Sequence, residues 1–573
     1  MQSSLTCSRS LQIGQFLAFL ATYQLLVLNL HAQSCGGEID QIYRLDAVVG
    51  VDELGHAVSC AGDVNGDGFD DLIAGAPYSS PGGMTLAGSA FVYSGPTGAL
   101  LYSYDGSTTQ AFFGISVSGV GDVNTDGFDD FIVGESQNSN GGSAFVYSGM
   151  TGALLYRFDG QSVGDSFGWS VSGAGDVNGD GVPDLIVGAR YADSLGAFSD
   201  AGSAYVFSGA TGNRLYRIDG QNNNASLGWS VSDAGDVNAD GFADFAVGAP
   251  NAVVPMGGAF PRPGSVFVHS GANGSLLYRL DGEDNGDDFG IAVSGLEDIS
   301  NDGFDDLVIG AYRADPNGLT YAGSAYLYSG ATGVRLQRFD GDNAYDYFGG
   351  SVSGAGDVNG DGFGDFLVGA DHADPGGASG AGSVFLYSGA AGYLLARLDG
   401  ELAGDELGAS VSGAGNTDGD GIEDIVVGAT GVGGGAVYLY ASFAPFLHTD
   451  AYSISAVTGG RVNYFMDFPD SEGGVPYVLL GSLTGTGPWS VGGGCIPLTF
   501  DAFTQRMAST PPPIFRHSAG TLGAGGTALA WMDVPPNWLS GYVGVRLWFA
   551  AVAYVSSIGL HYTSVAVPLD IAP

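Results

Sequence analysis

A unit of about sixty residues recurs seven times between residues 40 and 441, and this repetition limits the fold more than any other feature of the chain. The third copy reads FGWSVSGAGDVNGDGVPDLIVGAR, followed by AGSAYVFSGATGNRLYRIDG. The acidic loops of the copies begin at Asp63, Asp122, Asp176, Asp236, Asp298, Asp357 and Asn416, in steps of 59, 54, 60, 62, 59 and 59 residues. A spacing this regular marks one supersecondary unit copied in series.

Each unit parses into four short strands: the SVSGAG run, the apolar LIVGA run, SAYVFSG and LYRIDG. The connections are Gly-rich and too short for helices, so neighbouring strands are expected to be antiparallel. Seven four-stranded sheets in series predict an all-β chain folded as a seven-bladed β-propeller over 40–441. The fourth strand type follows only six units, and its seventh copy, Tyr43-Arg44-Leu45-Asp46, precedes the first. A ring closed by pairing that N-terminal strand with Ala436–Tyr440 accounts for the displacement and hides the edges that an open array exposes. Residues 446–573 carry no repeat. Four of the six Trp, a Pro511-Pro512-Pro513 run and alternating apolar stretches there predict a smaller β-sandwich-like domain.

Six acidic loops follow D-x-[N/S]-x-D-G-x-x-D. They are Asp63/Asn65/Asp67/Asp71, Asp122/Asn124/Asp126/Asp130, Asp176/Asn178/Asp180/Asp184, Asp236/Asn238/Asp240/Asp244, Asp298/Ser300/Asp302/Asp306 and Asp357/Asn359/Asp361/Asp365. The seventh is permuted to Asn416/Asp418/Asp420/Asp424. Ca²⁺ takes six to eight hard oxygens at about 2.3–2.6 Å. Side chains at loop positions 1, 3, 5 and 9 can supply four if the backbone turns sharply after position 5, where Gly stands. The carbonyl of position 7, Phe69 in the first loop, adds another. An EF-hand places its last ligand at position 12 and runs into a helix; here the ninth residue enters an apolar strand. Asp, Asn and Gly also build ordinary turns, but seven loops in matched register favour up to seven bound Ca²⁺.

These units resemble FG-GAP repeats, the blades of the integrin α-subunit propeller. The naming residues stand as Phe167-Gly168 with Gly188-Ala189, as Phe289-Gly290 with Gly310-Ala311, and as the full Gly248-Ala249-Pro250. The resemblance covers about 40–440 and implies a calcium-binding propeller, usually extracellular and often adhesive. Leu replaces the Phe at Leu54, Leu227 and Leu407. All seven loops look competent, whereas integrin chains carry them in only some blades. The tail, with TGGRVNYFMDFP and YVLLGSLTGTGP, looks like a C-terminal module of exported bacterial proteins without an assigned activity.

Charge narrows the partners. All 16 basic residues are Arg against 61 Asp and Glu, for a net charge of −45. Such a surface repels nucleic acid and anionic lipid, and the absence of Lys removes a P-loop nucleotide site and Schiff-base chemistry. Twenty-one of the carboxylates stand at positions 1, 3, 5 and 9 of the seven loops, where seven Ca²⁺ would offset 14 charges. Residues 1–32, with Arg9 ahead of the apolar Leu11–Leu30 stretch and Leu30-His31-Ala32 before a cleavage point, read as an export signal. The mature protein is then expected outside the cell or on its surface, with no stable membrane insertion. Cys35, Cys60 and Cys495 would remain, and Cys35–Cys60 is one possible bridge.

Loops alternate between the two faces of a four-stranded antiparallel blade. The acidic loops share one face with the SGATG turns. The other face carries the long, variable segments 77–88, 190–202, 250–264, 312–323 and 371–382. Near its centre the residue after each FG pair is His56, Ile115, Trp169, Trp229, Ile291, Gly350 or Ala409. Trp169 and Trp229, on adjacent blades, are candidates to stack on a sugar or anchor a protein, with Arg190, Arg313 and His372 as loop candidates; the alternative is that the Trp pair fills the gap between blades. The seven His show no zinc spacing and no G-x-S-x-G elbow occurs. A loop-carboxylate enzyme acting on polysaccharide, with Asp287, Asp288 or Asp346, and a structural surface component without a discrete ligand stand as alternatives. The favoured reading is a non-enzymatic recognition module for an extracellular protein or glycan.

Overall fold

The computed structural model describes residue 39 and residues 41–47, 52–194, 198–254, 261–359, 362–390 and 392–441, together with the backbone of twelve strands between 447 and 572. The expected signal segment and Cys35 lie outside the described residues.

The propeller blades match the four-strand parse. In the third blade Phe167–Gly175, Asp184–Ala189, Ser203–Phe207 and Arg214–Asp219 pair in order, each antiparallel to the next. The second strand is buried at all six positions in all seven blades. It is covered on both sides by neighbouring blades, which is why its sequence is a continuous apolar run and not an alternating one. The outermost strands, such as Leu100–Asp105, alternate exposed and half-buried residues because one side meets water.

Ring closure is as the displaced strand requires. Gln41–Asp46 pairs antiparallel with Ala436–Tyr440, Arg44 opposite Tyr438 and Asp46 opposite Ala436. A second tie crosses the same junction. The FG aromatic of each blade bridges in parallel to the glycine ahead of the preceding blade's third strand, and Leu54 does so with Gly435. Leu54, Leu227 and Leu407 are each 2 % exposed, as closely covered as Phe113 at 3 % or Phe167 at 1 %, so the Leu replacements keep the role.

Two glycines explain the rest of the motif. A Cβ on Gly188 would lie 2.1 Å from the carbonyl oxygen of Gly228, and one on Gly428 would lie 1.9 Å from that of Gly55. The GA glycine of one blade thus abuts the FG glycine of the next, backbone against backbone. The FG glycine itself takes a left-handed φ, +80° at Gly168, which a side chain would strain.

In the tail, the strands form a four-stranded sheet, a six-stranded sheet and the Trp489–Val491/Gly494–Ile496 hairpin. All pairings are antiparallel except Ser453–Ser455 with Val567–Ala572. Among the described residues no helix is long and apolar enough to cross a membrane. Among the described residues Cys60 has no disulfide partner, and its Sγ accepts the Gly62 N–H at 3.4 Å.

Candidate metal loops and ligand face

The third loop shows how each acidic side chain is held. Asp176 Oδ1 accepts the N–H groups of Gly179 (2.7 Å) and Asp180 (3.1 Å), and its Oδ2 accepts that of Gly181 (2.8 Å). Asp180 Oδ1 takes the Val182 N–H at 3.0 Å. Asp184, the ninth residue, is fully buried and accepts from Val177 N, Asn178 Nδ2 and Gly209 N at 2.9–3.0 Å. Gly209 belongs to the SGATG turn, so acidic loop and turn share one face, as expected.

The other loops repeat this bonding. In the first, Asp63 accepts from Gly66, Asp67 and Gly68, and Asp67 Oδ1 accepts the Phe69 N–H at 3.1 Å. In the second, Asp122 accepts the N–H groups of Asp126 and Gly127, and Asp126 Oδ1 takes the Phe128 N–H at 3.1 Å. Asn124 turns its amide nitrogen to Asp130, 3.2 and 3.1 Å from the two oxygens. In the fourth, Asn238 does the same to Asp244 at 3.1 and 2.8 Å, and Asp240 Oδ1 accepts the Phe242 N–H at 3.1 Å. In the fifth, Ser300 donates its N–H to Asp306 at 2.8 Å and its hydroxyl at 3.4 Å. Asp302 accepts the Phe304 N–H and the Ser329 hydroxyl, both at 3.2 Å. In the seventh, Asn416 Oδ1 accepts from Gly419 and Asp420 Oδ1 from Ile422.

In this ion-free arrangement the loop oxygens are not drawn to one point. Among the described residues no three acidic side chains stand at the spacing of a metal site. At position 3, Asn124 and Asn238 direct an N–H donor, and Ser300 a hydroxyl donor, at the ninth-position acid where a ligand oxygen was expected. At position 5, Asp126, Asp240 and Asp302 each accept the N–H two residues on. The reason is electrostatic: like charges separate, and each carboxylate takes the nearest N–H donors. Asp361 of the sixth loop lies outside the described residues.

The donor set nevertheless fits a hard dication. All seven ninth-position carboxylates, from Asp71 to Asp424, are at most 1 % exposed. Burial pushes Asp71 and Asp244 up to about 7 and Asp130, Asp184 and Asp306 up to about 6. The charges acting on these five are those of other carboxylates, such as Asp67 and Asp63 on Asp71, and no Arg offsets them. Burying a carboxylate without a cation is costly. In the sixth loop Asn359 is fully buried and its Oδ1 has no hydrogen-bond partner among the described residues, an orphaned oxygen at position 3. The amide nitrogens of Asn65 and Asn178 stand about 3 Å from both oxygens of Asp71 and Asp184. That is the side of the amide which, turned over, would present an oxygen beside the carboxylate. In the seventh loop Asp418 replaces this Asn, and the Thr417 hydroxyl donates to Asp424 in its place.

An inter-blade feature escaped the sequence reading. The eighth loop residue reaches back to the loop of the preceding blade. Asp129 Oδ2 accepts the Asp63 N–H (2.9 Å), Asp305 Oδ2 that of Asp236 (3.0 Å), and Asp70 Oδ2 that of Asn416 across the ring closure (2.8 Å). Its only signal was an acidic residue at position 8 in four of the seven loops: Asp70, Asp129, Asp305 and Glu423.

Replacing the ninth-position acid tests the loop directly. Asp184→Ala leaves three donors without their acceptor and should destabilise the propeller by about 2–3 kcal/mol in urea unfolding. A change under about 0.5 kcal/mol would contradict the hydrogen bonding described.

On the opposite face the structure gathers three of the five sequence candidates. The Arg190 guanidinium stacks 3.1 Å from the Trp169 ring centre and 4.5 Å from that of Trp229, with the two indoles 5.5 Å apart. Tyr191 stands 4.5 Å from the same guanidinium. No carboxylate among the described residues pairs with Arg190, its Nε has no hydrogen-bond partner, and desolvation pushes its pKa down to about 10. Trp169 and Trp229 are half-buried: they do fill the space between blades, but around a cation. Arg313 is elsewhere. It pairs with Asp288 at 3.0 Å and stacks on Tyr312.

Arg313 belongs to a second aromatic group that sequence reasoning missed. Tyr347 lies 5.5 Å from Tyr312, 6.1 Å from Tyr321 and 4.9 Å from His372. Tyr345 is 55 % exposed at φ +69°, in a turn position where other blades place Gly164, Gly286 and Gly404. The signal was available as Tyr345 standing where three other copies have glycine. Asp287 and Asp346, candidates for a catalytic pair, cap inter-blade turns by accepting the N–H groups of Asp284 and Asn343 at 3.2 Å. Asp165 and Asp405 do the same in other blades.

A ring of seven such blades, with FG and GA glycines in backbone contact, resembles the FG-GAP propeller of integrin α subunits. The FG-GAP repeat model matches residues 57–93, 167–207, 228–269, 289–328 and 348–387. The chain is 32 % identical to integrin alpha-5 of Xenopus laevis over 247 residues, covering 40 % of the chain and 22 % of that protein. It is 32 % identical to integrin alpha-V of Gallus gallus over 220 residues (36 % and 20 %). With integrin alpha-7 of Mus musculus it shares 37 % over 147 residues (24 % and 12 %). The matched region spans about a fifth or less of these relatives' length.

Proposed function

We propose that this protein is a secreted, calcium-stabilised propeller that recognises an extracellular protein or glycan through the face opposite its acidic loops. One observation carries the reading: that face concentrates the diverse loops and a half-buried Trp169/Arg190/Trp229 cluster whose cation has no carboxylate partner among the described residues. Rigid blades presenting variable loops make a recognition surface, and clustered Trp and Arg are the residue types that dominate binding energy. The adhesive character of integrin-like propellers points the same way.

On the other face, side-chain oxygens of positions 1, 3, 5 and 9 and the carbonyl of position 7 would hold Ca²⁺. The ion would supply the positive charge that the buried ninth-position carboxylates otherwise lack. Its role there is structural, since the loops tie the first strand of each blade to the second.

The test is a binding screen of the full chain against glycans, matrix proteins and cell surfaces, in millimolar calcium and again in chelator. The expected result is saturable binding that is lost in chelator and weakened about tenfold or more by Trp169→Ala or Trp229→Ala. A protein that melts cooperatively with calcium yet binds nothing would instead be a structural component of the surface or matrix.

A further inference from the structure

Charge and shape at one cavity on this face specify the ligand further. A cavity of about 520 Å³ opens between the third and fourth blades, lined by Tyr191, Asp200, Asn224, Trp229, Asn251 and Arg262. Its size lies within the range of small-molecule sites. Every lining residue comes from the variable loops or from the inter-blade turn that leads to Trp229. Tyr191 is 38 % exposed and Trp229 half-buried, so two aromatic rings border open space. Two amide side chains and a carboxylate stand beside them.

The arginines identify the charge of the occupant. Of the eleven whose side chains the structure describes, eight pair with a carboxylate: Arg44, Arg157, Arg217, Arg279, Arg313, Arg335, Arg338 and Arg397. In a chain with 61 acidic and 16 basic residues, an arginine without such a partner is the exception. Arg190, Arg214 and Arg262 have none among the described residues. Two of these three are at this cavity, Arg262 in its lining and Arg190 against the rings of Trp229 and Tyr191. A guanidinium is suited to a planar oxyanion, which it grips through two parallel N–H donors.

Aromatic faces beside amide and carboxylate side chains suit a sugar ring, whose C–H face stacks while its hydroxyls take hydrogen bonds from Asn224 and Asn251 and give one to Asp200. We propose that this cavity binds an acidic saccharide, with a sugar ring on Trp229 and Tyr191 and its anionic group at Arg262. The inference rests on the reading of this face as the recognition surface. Asp200 in the lining and the acidic surface around it disfavour densely charged polyanions such as nucleic acid. A saccharide with spaced anionic groups avoids that repulsion. A carboxylate and a sulfate present the same oxyanion chemistry to Arg262, and they are separated by experiment.

The experiment titrates the full-length protein, in millimolar calcium, with an oligogalacturonate, a galactan oligosaccharide carrying one sulfate per disaccharide and no uronate, and neutral cello-oligosaccharides of matched length. The expected result is saturable binding of an acidic oligosaccharide, about tenfold or more tighter than the neutral one. Arg262→Ala should weaken it about tenfold, Arg262→Lys less, and Trp229→Ala more; added salt should weaken it too. Preference for the uronate or for the sulfated sugar assigns the anionic group. Arg262 is exposed, so its replacement leaves the fold intact even if Trp229→Ala does not. The inference is overturned if neither acidic oligosaccharide saturates, or if Arg262→Ala binds as the parent does. Trp229-dependent binding of a neutral glycan or a matrix protein would overturn the acidic-sugar assignment while leaving the recognition face standing. A folded protein that binds none of these ligands would remove both.

Discussion

Chelation of divalent cations with EGTA should lower the melting temperature of the protein by roughly 4–12 °C. Extracellular Ca²⁺ sites typically have Kd values of about 10⁻⁴–10⁻³ M. At one to ten Kd each loop contributes about 0.4–1.4 kcal/mol, and seven loops together roughly 3–10 kcal/mol. That is comparable with the whole stability of a domain. The unfolding entropy of a propeller of this size, near 0.8 kcal/mol/K by the usual per-residue value of about 2 cal/mol/K, converts the sum into the stated shift. Without the ion the buried carboxylates of Asp71, Asp130, Asp184, Asp244 and Asp306 face N–H and hydroxyl donors and other acids, with no cation among the causes of their shifts. Re-adding Ca²⁺ should restore the melt, and Mg²⁺ should do so less well because it prefers a smaller octahedral site. A scanning-calorimetry trace unchanged by EGTA would reject calcium in these loops.

The second large effect is expected from one methyl group. Gly428→Ala should destabilise the propeller by about 3 kcal/mol or more, because the added carbon would sit 1.9 Å from the Gly55 carbonyl oxygen and 2.8 Å from its carbon. Both atoms are backbone, so no side chain can swing away. The only relief is to part the seventh blade from the first, where Gln41–Asp46 and the Leu54–Gly435 bridge close the ring. Gly173→Ala is the control. A Cβ there meets nothing nearer than 3.5 Å, and the change should cost under about 1 kcal/mol. Urea unfolding of the two variants distinguishes them. Equal stabilities would mean that the GA glycine is not a packing requirement.

Much of this architecture was legible in one dimension. Strand order, blade number and the displaced closing strand follow from a repeat whose connections are too short to permit other pairings. The spacing of Asp63, Asn65, Asp67 and Asp71, copied around the ring, gave the acidic loops their common place. The side-chain geometry within those loops was not legible. Asp176 turns to three backbone N–H groups, and Asn124 and Asn238 present nitrogen to the ninth-position acid. Local hydrogen bonding sets these choices, and the spacing of carboxylates does not encode them. The candidate ligand face was legible as a list of variable positions but not as a cluster. Arg190 and Arg313 looked equivalent, each the first or second residue after a GA pair. One lies between two indoles, and the other is neutralised by Asp288.

The sequence by itself therefore determined what one blade is and how many there are, because a blade is held by contacts among residues within about sixty positions of one another. Only the tertiary structure decided what happens between blades: the reach of Asp70 to Asn416 from 346 residues away, the abutting glycines, and the Trp169–Arg190–Trp229 stack. Those contacts depend on the angle and distance at which rigid sheets meet. Closing the ring sets that geometry, and no short stretch of the chain contains it.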